Sequence, residues 1–392
     1  MTSLTVPTRW PHRRPLTSLR HNPARLTRHI DVALIAALAC VCGLGLLMVY
    51  SATRGSAPPY DASYVKKQIM FMMIGGVIMA GFAWVDYRKI RDLAPVFYGV
   101  SLVLLGLVLT PLGRNINGTK GWFVLGPFQL QPSELAKMSI VLALAALAAR
   151  FRGEVDLRRL VALLLLAGIP VALITPEPDL GQSLVIGCML LALLVMAGAQ
   201  PRHLAVLAVV AGFVVFGVLR SGALDTYQKA RLTSFTHQDL AHQSVHDQRN
   251  GLYNLNQAKV AIVSGGLTGK GVFHAPQTKL GRVPEQRTDF IFTAVGEQVG
   301  FVGSAALLAL YSLIIWRIWR TAQLARDDFG RLVCVGILGM FLFQIFENAG
   351  MAMGIMPITG ITLPFMSYGG SSLLIDFAAL GLVLNVHMRR FS

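Results

Sequence analysis

Residues 284–303 read Pro284-Glu285-Gln286-Arg287-Thr288-Asp289-Phe290-Ile291-Phe292-Thr293-Ala294-Val295-Gly296-Glu297-Gln298-Val299-Gly300-Phe301-Val302-Gly303. A polar loop ends in this stretch and an apolar run begins. Asp289 stands at the junction, and Glu297 lies two turns inside the apolar run. An acid at a helix centre in a membrane costs about 2.5–3.5 kcal/mol on insertion scales, so it marks a site to be explained. Two readings of Asp289 are open from spacing. It starts a helix, where a carboxylate suits the dipole, or it works on a polar group carried by a lipid.

Working outward, the same polar-to-apolar alternation recurs along the chain. Apolar runs cover Val32–Tyr50, Ile69–Val85, Leu93–Leu112, Ser133–Ala149, Leu160–Thr175, Leu180–Ala199, Leu204–Leu219, Phe290–Trp316, Leu332–Ala349 and Ser372–Val386. The 392 residues are 54% hydrophobic and only 14% charged; a soluble domain carries about 25% charge. The expected fold is an all-α integral membrane protein of ten transmembrane helices. The first run is long enough to span and has no cleavage-site pattern, so it reads as a helix that is kept rather than a removed signal.

The net charge of +16 does not point to nucleic acid, because the basic residues are dispersed among short loops. Their distribution instead reports orientation. Six arginines fall in residues 1–30, a stretch with no acid that reads as a disordered basic cytoplasmic tail. With that tail inside, Arg88, Lys89, Arg91, Arg150, Arg152, Arg158, Arg159, Arg202, Arg317, Arg320, Arg326, Arg331, Arg389 and Arg390 all fall on the cytoplasmic side. The short outer loops hold only Arg54, Lys66, Lys67, Arg114 and Lys120. This bias predicts ten spans with both termini cytoplasmic. Residues 31–392 then form one membrane domain, and 220–289 a large outer loop between the seventh and eighth spans. Cys40, Cys42, Cys188 and Cys334 lie in apolar runs with no metal-site or disulfide pattern.

Within the large loop, Gly265-Gly266-Leu267-Thr268-Gly269-Lys270-Gly271 superficially resembles a phosphate-binding loop. The spacing is wrong and no Ser or Thr follows the lysine, so it reads as a glycine turn carrying one cation. The last outer segment, 350–371, has no charge and is rich in Gly and Pro. Such a segment is expected to dip back among the helices, where protein or a watery cavity must satisfy its backbone. Polar residues gather near the same side. Glu134 and Lys137 share one helix face. Asp179 follows Glu177-Pro178 and suits a helix cap. Lys66 and Lys67 end a span, where they are either lipid-surface anchors or phosphate ligands. Acids and cations on one face suit a substrate with an anionic head and an apolar tail. This allows an enzyme acting on lipid diphosphates or a transporter of them, and the residues alone do not choose.

Taken in order, several motifs resemble the SEDS family (shape, elongation, division and sporulation). They are Asn117-Gly118 through Trp122, Gln131-Pro132-Ser133-Glu134-Leu135-Ala136-Lys137, Glu177-Pro178-Asp179-Leu180-Gly181, Tyr227-Gln228 with Arg231-Leu232, Ser264 through Gly271, Pro284-Glu285 with Thr288-Asp289-Phe290-Ile291-Phe292, and Leu363-Pro364-Phe365 with Ser367-Tyr368-Gly369-Gly370-Ser371-Ser372. The resemblance runs from about residue 30 to the C-terminus. It implies ten spans and a peptidoglycan glycosyltransferase of the cytoplasmic membrane that polymerises lipid II and releases undecaprenyl diphosphate. It implies a class B penicillin-binding protein, a transpeptidase, as partner. It implies Asp289 as the catalytic residue and Glu134, Lys137, Lys67, Lys120, Trp122, Asp179, Ser367 and Tyr368 as substrate-binding. It implies dependence on a divalent metal ion, Mg or Mn, with no ligand that can be named. Tyr253-Asn254 with Gln257-Ala258-Lys259 and Glu347 through Met351 tilt toward the rod-elongation members and their machinery, with division members and a lipid II flippase as alternatives. The chain departs from the family at Gly121-Trp122, where Arg-Trp is usual, leaving Lys120 as the nearby charge, and at Glu297-Gln298, where the second acid is lost. The His-containing strip 236–250 does not match.

Overall fold

The computed structural model describes residues 29–116, 119–126, 128–151, 153, 155–177, 179–221 and 251–391. Residues 1–28 of the basic tail, Asn117-Gly118, Tyr227, Arg231 and the strip 236–250 lie outside the described residues. The chain is mainly helical. In order come α1 (Val32–Thr53), α2 (Ser63–Trp84), α3 (Tyr87–Val108), β1 (Arg114–Ile116), β2 (Thr119–Leu125), β3 (Phe128–Leu130), α4 (Pro132–Ala148), α5 (Leu157–Ile174), α6 (Leu180–Met196), α7 (Pro201–Ser221), α8 (Gly251–Gly265), the short α9 (Pro276–Lys279), α10 (Ile291–Leu324), α11 (Asp328–Met353) and α12 (Gly370–Met388). Every apolar run of the sequence lies on one of these helices. Among the described residues, α1, α2, α3, α5, α10, α11 and α12 are long and apolar enough to cross a membrane, and Gly181–Met196 and Pro201–Phe213 are shorter apolar helices. The protein is a multi-pass membrane protein.

Aspartates start many of these helices. Asp31, Asp86, Asp156, Asp179 and Asp327 each accept a hydrogen bond from a backbone N–H in the first turn of α1, α3, α5, α6 and α11. A carboxylate there satisfies one of the otherwise unpaired N–H groups and suits the helix dipole. Asp31 is buried and also holds the Arg317 guanidinium at 2.8 Å, tying the start of α1 to α10.

The core runs through α4, α11 and α12, whose residues are almost all buried. Around them, α2, α3 and α7 turn large apolar side chains outward, among them Met73, Val77, Val103 and Phe213. That inversion is the expected arrangement where the surrounding solvent is hydrocarbon. α2 packs closely on α12 because Gly75 and Gly381 leave room. A Cβ on Gly381 would sit 2.6 Å from the Met79 carbonyl oxygen, and one on Gly75 would meet the Phe377 ring. Small residues at such contacts are how membrane helices approach one another.

The structure differs from the all-α expectation in one loop. Arg114–Ile116, Thr119–Leu125 and Phe128–Leu130 form a three-stranded antiparallel sheet in the order β1-β2-β3. Thr119 to Leu125 is rich in β-branched and aromatic residues, which favour a pleated surface. The run was too short to compete with the flanking helices in a hydropathy reading. A second difference lies in α10. Gly300 has φ 69° and ψ −163°, so two helices meet there. Residues Ile291–Gln298 are buried, whereas Phe301 and Val302 are well exposed. The apolar run read as starting at Phe290 is therefore a buried short helix followed by the outward-facing one.

Gly381→Val should push α2 off α12 and cost about 1–3 kcal/mol by overpacking, seen as a lower unfolding temperature of the detergent-purified protein. An unchanged melting curve would contradict the close contact.

Candidate active site

Asp289 is half-buried on a turn that its own neighbours build. The Glu285 carbonyl accepts from the backbone N–H groups of Thr288, Asp289 and Phe290, at 3.2, 3.2 and 3.3 Å. Glu285 itself sits at φ 48°, a left-handed conformation that costs a non-glycine residue energy. The turn survives because other segments hold it. Asn348 of α11 donates from Nδ2 to the Asp289 carbonyl at 2.7 Å and to the Ile361 carbonyl at 2.7 Å. Ser367 donates from Oγ to the Thr288 carbonyl at 2.6 Å, and the Tyr368 N–H donates to the Arg287 carbonyl at 2.8 Å. Gln68 of α2 donates to the Ser367 carbonyl at 2.9 Å.

The segment between α11 and α12 thus works as a clamp. Ile358, Ile361, Leu363, Phe365, Met366 and Ser367 are buried within it. Its irregular backbone is satisfied by side chains of the surrounding helices, including Tyr311 Oη on the Pro364 carbonyl at 2.6 Å. This is what backbone at membrane depth requires. Sequence reasoning placed Ser367 and Tyr368 as substrate ligands; in the structure they are among the residues that fix the Asp289 turn.

Glu134 and Lys137 form an ion pair of 2.8 Å on α4, and both side chains are buried. Gln182 of α6 donates to Glu134 Oε1 at 2.6 Å. Asp179 caps α6 through the Gln182 N–H and accepts from Gln131 Nε2 at 3.1 Å. The Gln131 N–H and the Gln129 carbonyl both meet Ser371 Oγ at the start of α12. One polar chain therefore runs from β3 across α4, α6 and α12. A buried pair on this chain is sensitive to loss of either partner, since the other charge would be left unpaired.

The remaining predicted residues lie on α2 and β2. Lys66 and Lys67 are exposed on α2, beside Gln68. Trp122 is half-buried on β2, and Lys120 lies on the same strand two residues before it; the Lys120 side chain is outside what is described. The residue opposite Trp122 in register is Arg114. Sequence reading missed Arg114, because only the sheet register brings it to the tryptophan.

Two further residues change their reading. Glu297 is fully buried and accepts from the Gln277 N–H (2.7 Å), the Thr278 N–H (2.8 Å) and Thr278 Oγ1 (2.7 Å). It secures α9 against α10 and is not an acid left bare in lipid. The glycine-rich stretch 265–271 packs backbone to backbone on the same place. Lys270 and Gly271 donate from their N–H groups to the Glu297 and Gln298 carbonyls, and Phe301 and Val302 donate to Gly266 and Leu267. A Cβ on Gly265 would lie 1.9 Å from the Gly296 oxygen, one on Gly269 2.1 Å from the Gln298 oxygen, and one on Gly300 2.3 Å from the Gly269 nitrogen. These glycines serve close approach, and the N–H groups of Gly269, Lys270 and Gly271 are spent on backbone carbonyls. Among the described residues no group of three His, Cys, Asp or Glu side chains is set to hold a metal ion. The Mg or Mn that the resemblance implies finds no ready cage there.

The family model described as "Cell cycle protein", for FtsW, RodA and SpoVE, matches residues 32–391. The chain belongs to this family. It is 33% identical to the peptidoglycan glycosyltransferase MrdB of Escherichia coli over 364 residues, covering 92% of this chain and 94% of that protein. It is 36% identical to a probable peptidoglycan glycosyltransferase FtsW of Thioalkalivibrio sulfidiphilus over 377 residues, covering 93% and 90%. A chain of a solved peptidoglycan synthase complex that coordinates polymerization and crosslinking matches with a TM-score of 0.78 at 34% identity, covering 93% of this chain and 99% of that one. The SEDS resemblance drawn from the motifs thus agrees with these comparisons.

Glu177, just before Asp179, is fully buried, and neither of its carboxyl oxygens has a hydrogen-bond partner among the described residues. Burial first, and the Asp179 charge second, push its pKa from 4.5 to about 8. The folded chain then keeps a proton that the unfolded chain releases between these values. The contribution of this group to stability is therefore fully present below pH 4.5 and is lost as pH rises toward about 8. Glu177→Gln should flatten that slope in unfolding temperatures measured across the window; an unaltered slope would show that Glu177 is not its source.

Proposed function

We propose that this chain is a peptidoglycan glycosyltransferase that polymerises lipid II at the outer face of the cytoplasmic membrane. The observation that carries the reading is the Asp289 turn, a half-exposed carboxylate whose backbone is gripped by α11 and by the segment before α12. The relatives named as peptidoglycan glycosyltransferases support it at the level of reaction class.

In this reading Asp289 is the general base. The acceptor sugar hydroxyl attacks the anomeric carbon of the donor. Its proton passes to the Asp289 carboxylate, the new C–O bond forms, and the bond to the lipid diphosphate breaks. A base on a rigid turn contributes by holding its oxygen where the proton leaves. The departing diphosphate needs charge stabilisation more than a proton, and Lys66 and Lys67 supply positive charge on the neighbouring end of α2. In this reading Glu134, Lys137 and Asp179, joined through Gln131 and Gln182 in the network described above, and Trp122 and Lys120 of β2 serve substrate binding.

The same reading places all ten long helices across the membrane, with both termini cytoplasmic and residues 220–289 outside, in keeping with the Lys and Arg distribution. It takes a class B penicillin-binding transpeptidase as partner, for which the synthase-complex relative is the support. Elongation is preferred to division on the Tyr253–Lys259 and Glu347–Met351 stretches.

The test is polymerisation of purified lipid II by the full-length protein with its transpeptidase partner. Asp289→Asn should lower glycan synthesis by about a hundredfold or more while lipid II binding is kept. Undiminished ladders in that variant would remove Asp289 from the mechanism. A chelator arm checks the divalent-ion expectation, and transport of labelled lipid II without any polymer would move the reading to a flippase.

A further inference from the structure

One cation beside Asp289 has no role in the scheme above. Arg287 belongs to the same turn, two residues before the acid. Its guanidinium carbon lies 4.6 Å from the centre of the Tyr64 ring, in the first turn of α2. Tyr64 in turn meets Tyr368 edge-on, with ring centres 5.3 Å apart and planes at 80°. The Tyr368 N–H also fixes the Arg287 carbonyl. Backbone and side chain of Arg287 are thus both positioned by the residues that position Asp289.

Among the described residues the guanidinium is poorly matched. Its nearest acid is Glu285, 3.8 Å from Nη2, which is beyond hydrogen-bond length. That carboxylate is shared with Thr288 Oγ1, at 3.3 Å. Arg287 Nε is shielded from solvent and donates to none of the described residues. The rest of the side chain is open, 37% exposed, so its terminal N–H groups meet water in the free protein and are accessible to an incoming oxyanion. Stacking on an aromatic face leaves the edge of the guanidinium, which carries its N–H groups, turned toward such a partner. Lys66 and Lys67 follow Tyr64 on the same helix end, exposed, and add charge of the same sign.

We propose that Arg287 binds the diphosphate of the lipid-linked donor and holds the bond to be broken beside the Asp289 carboxylate. This rests on the reading under "Proposed function", which gives Arg287 no ligand. Two N–H groups of the fork donate to phosphate oxygens, and the contact strengthens as the leaving group gains charge. Glu285, held near the fork at a longer distance, competes weakly with the ligand.

The experiment titrates the detergent-solubilised full-length protein with farnesyl diphosphate and farnesyl monophosphate by calorimetry, with lipid II polymerisation run in parallel. Arg287→Ala and Arg287→Lys should weaken diphosphate binding by about tenfold or more, and monophosphate binding less, because the bidentate fork is lost. The KM for lipid II should rise by a similar factor. Glu285→Gln should tighten diphosphate binding, and it decides the matter if Arg287→Ala does not fold. Diphosphate binding equal to the parent's in both the Arg287 and Glu285 variants, in a protein that still polymerises lipid II, overturns the inference and leaves the glycosyltransferase reading intact. Arg287-dependent diphosphate binding in a parent protein that makes no glycan supports the site and removes the glycosyltransferase reading instead.

Discussion

The structure depends on irregular backbone being satisfied away from water. The segment between α11 and α12 carries no charged side chain, yet it is buried among helices whose outer surfaces are apolar. Each of its polar backbone groups therefore needs a protein partner. Asn348 meets this need with one amide group on two carbonyls, Ile361 in the segment and Asp289 in the facing turn. The two elements become one unit. The cost of leaving either carbonyl unpaired is what keeps the strained Glu285 turn in place. The backbone at Asp289 is held because surroundings without water are intolerant of unpaired carbonyls.

The same constraint sorts the charged residues. Asp31, Asp86, Asp156 and Asp327 stand at helix starts, where the N–H groups need an acceptor. Arg317 answers Asp31 in a buried pair. Glu134 and Lys137 neutralise each other inside α4, with Gln182 taking the remaining oxygen. What is left over, on the rim near Asp289, is mostly cationic: Lys66, Lys67 and Arg287. That charge is the complement an anionic head, as proposed above, would need.

Much of this was legible in the sequence, for a physical reason. Hydropathy reports helices that face lipid, so each apolar run marked a helix, and the capping chemistry of Asp179 could be read from its place after Glu177-Pro178. The starts of α2 and α3 were read late because their first turns carry Lys66, Lys67, Arg88 and Arg91, which lower the local hydropathy without ending a helix. The break at Gly300 was hidden, since glycine inside an apolar run leaves the count almost unchanged. Arg287 was passed over because its partner Tyr64 comes from another part of the chain, and Asn348 was noted only for its place beside the last outer segment, since its bond to the Asp289 carbonyl spans distant sequence. Glu297 was read as an acid in lipid for the same reason: its three donors lie in a loop whose folding no local pattern announces. Spacing alone left the role of Asp289 open between cap and catalyst. The structure adds that the turn is held both by α11 and by the segment before α12, which a cap does not need.

The glycine contact at residues 265, 269 and 300 bears on how genetics of this protein should be read. Backbones meet there so closely that any side chain displaces one of them. A saturation screen scored on cell growth would flag these positions as strongly as the acid itself, although they touch no substrate. Intolerance to substitution in this chain therefore maps two different things, chemistry and clearance. The two separate only when the replaced residue is asked whether it had an atom to offer.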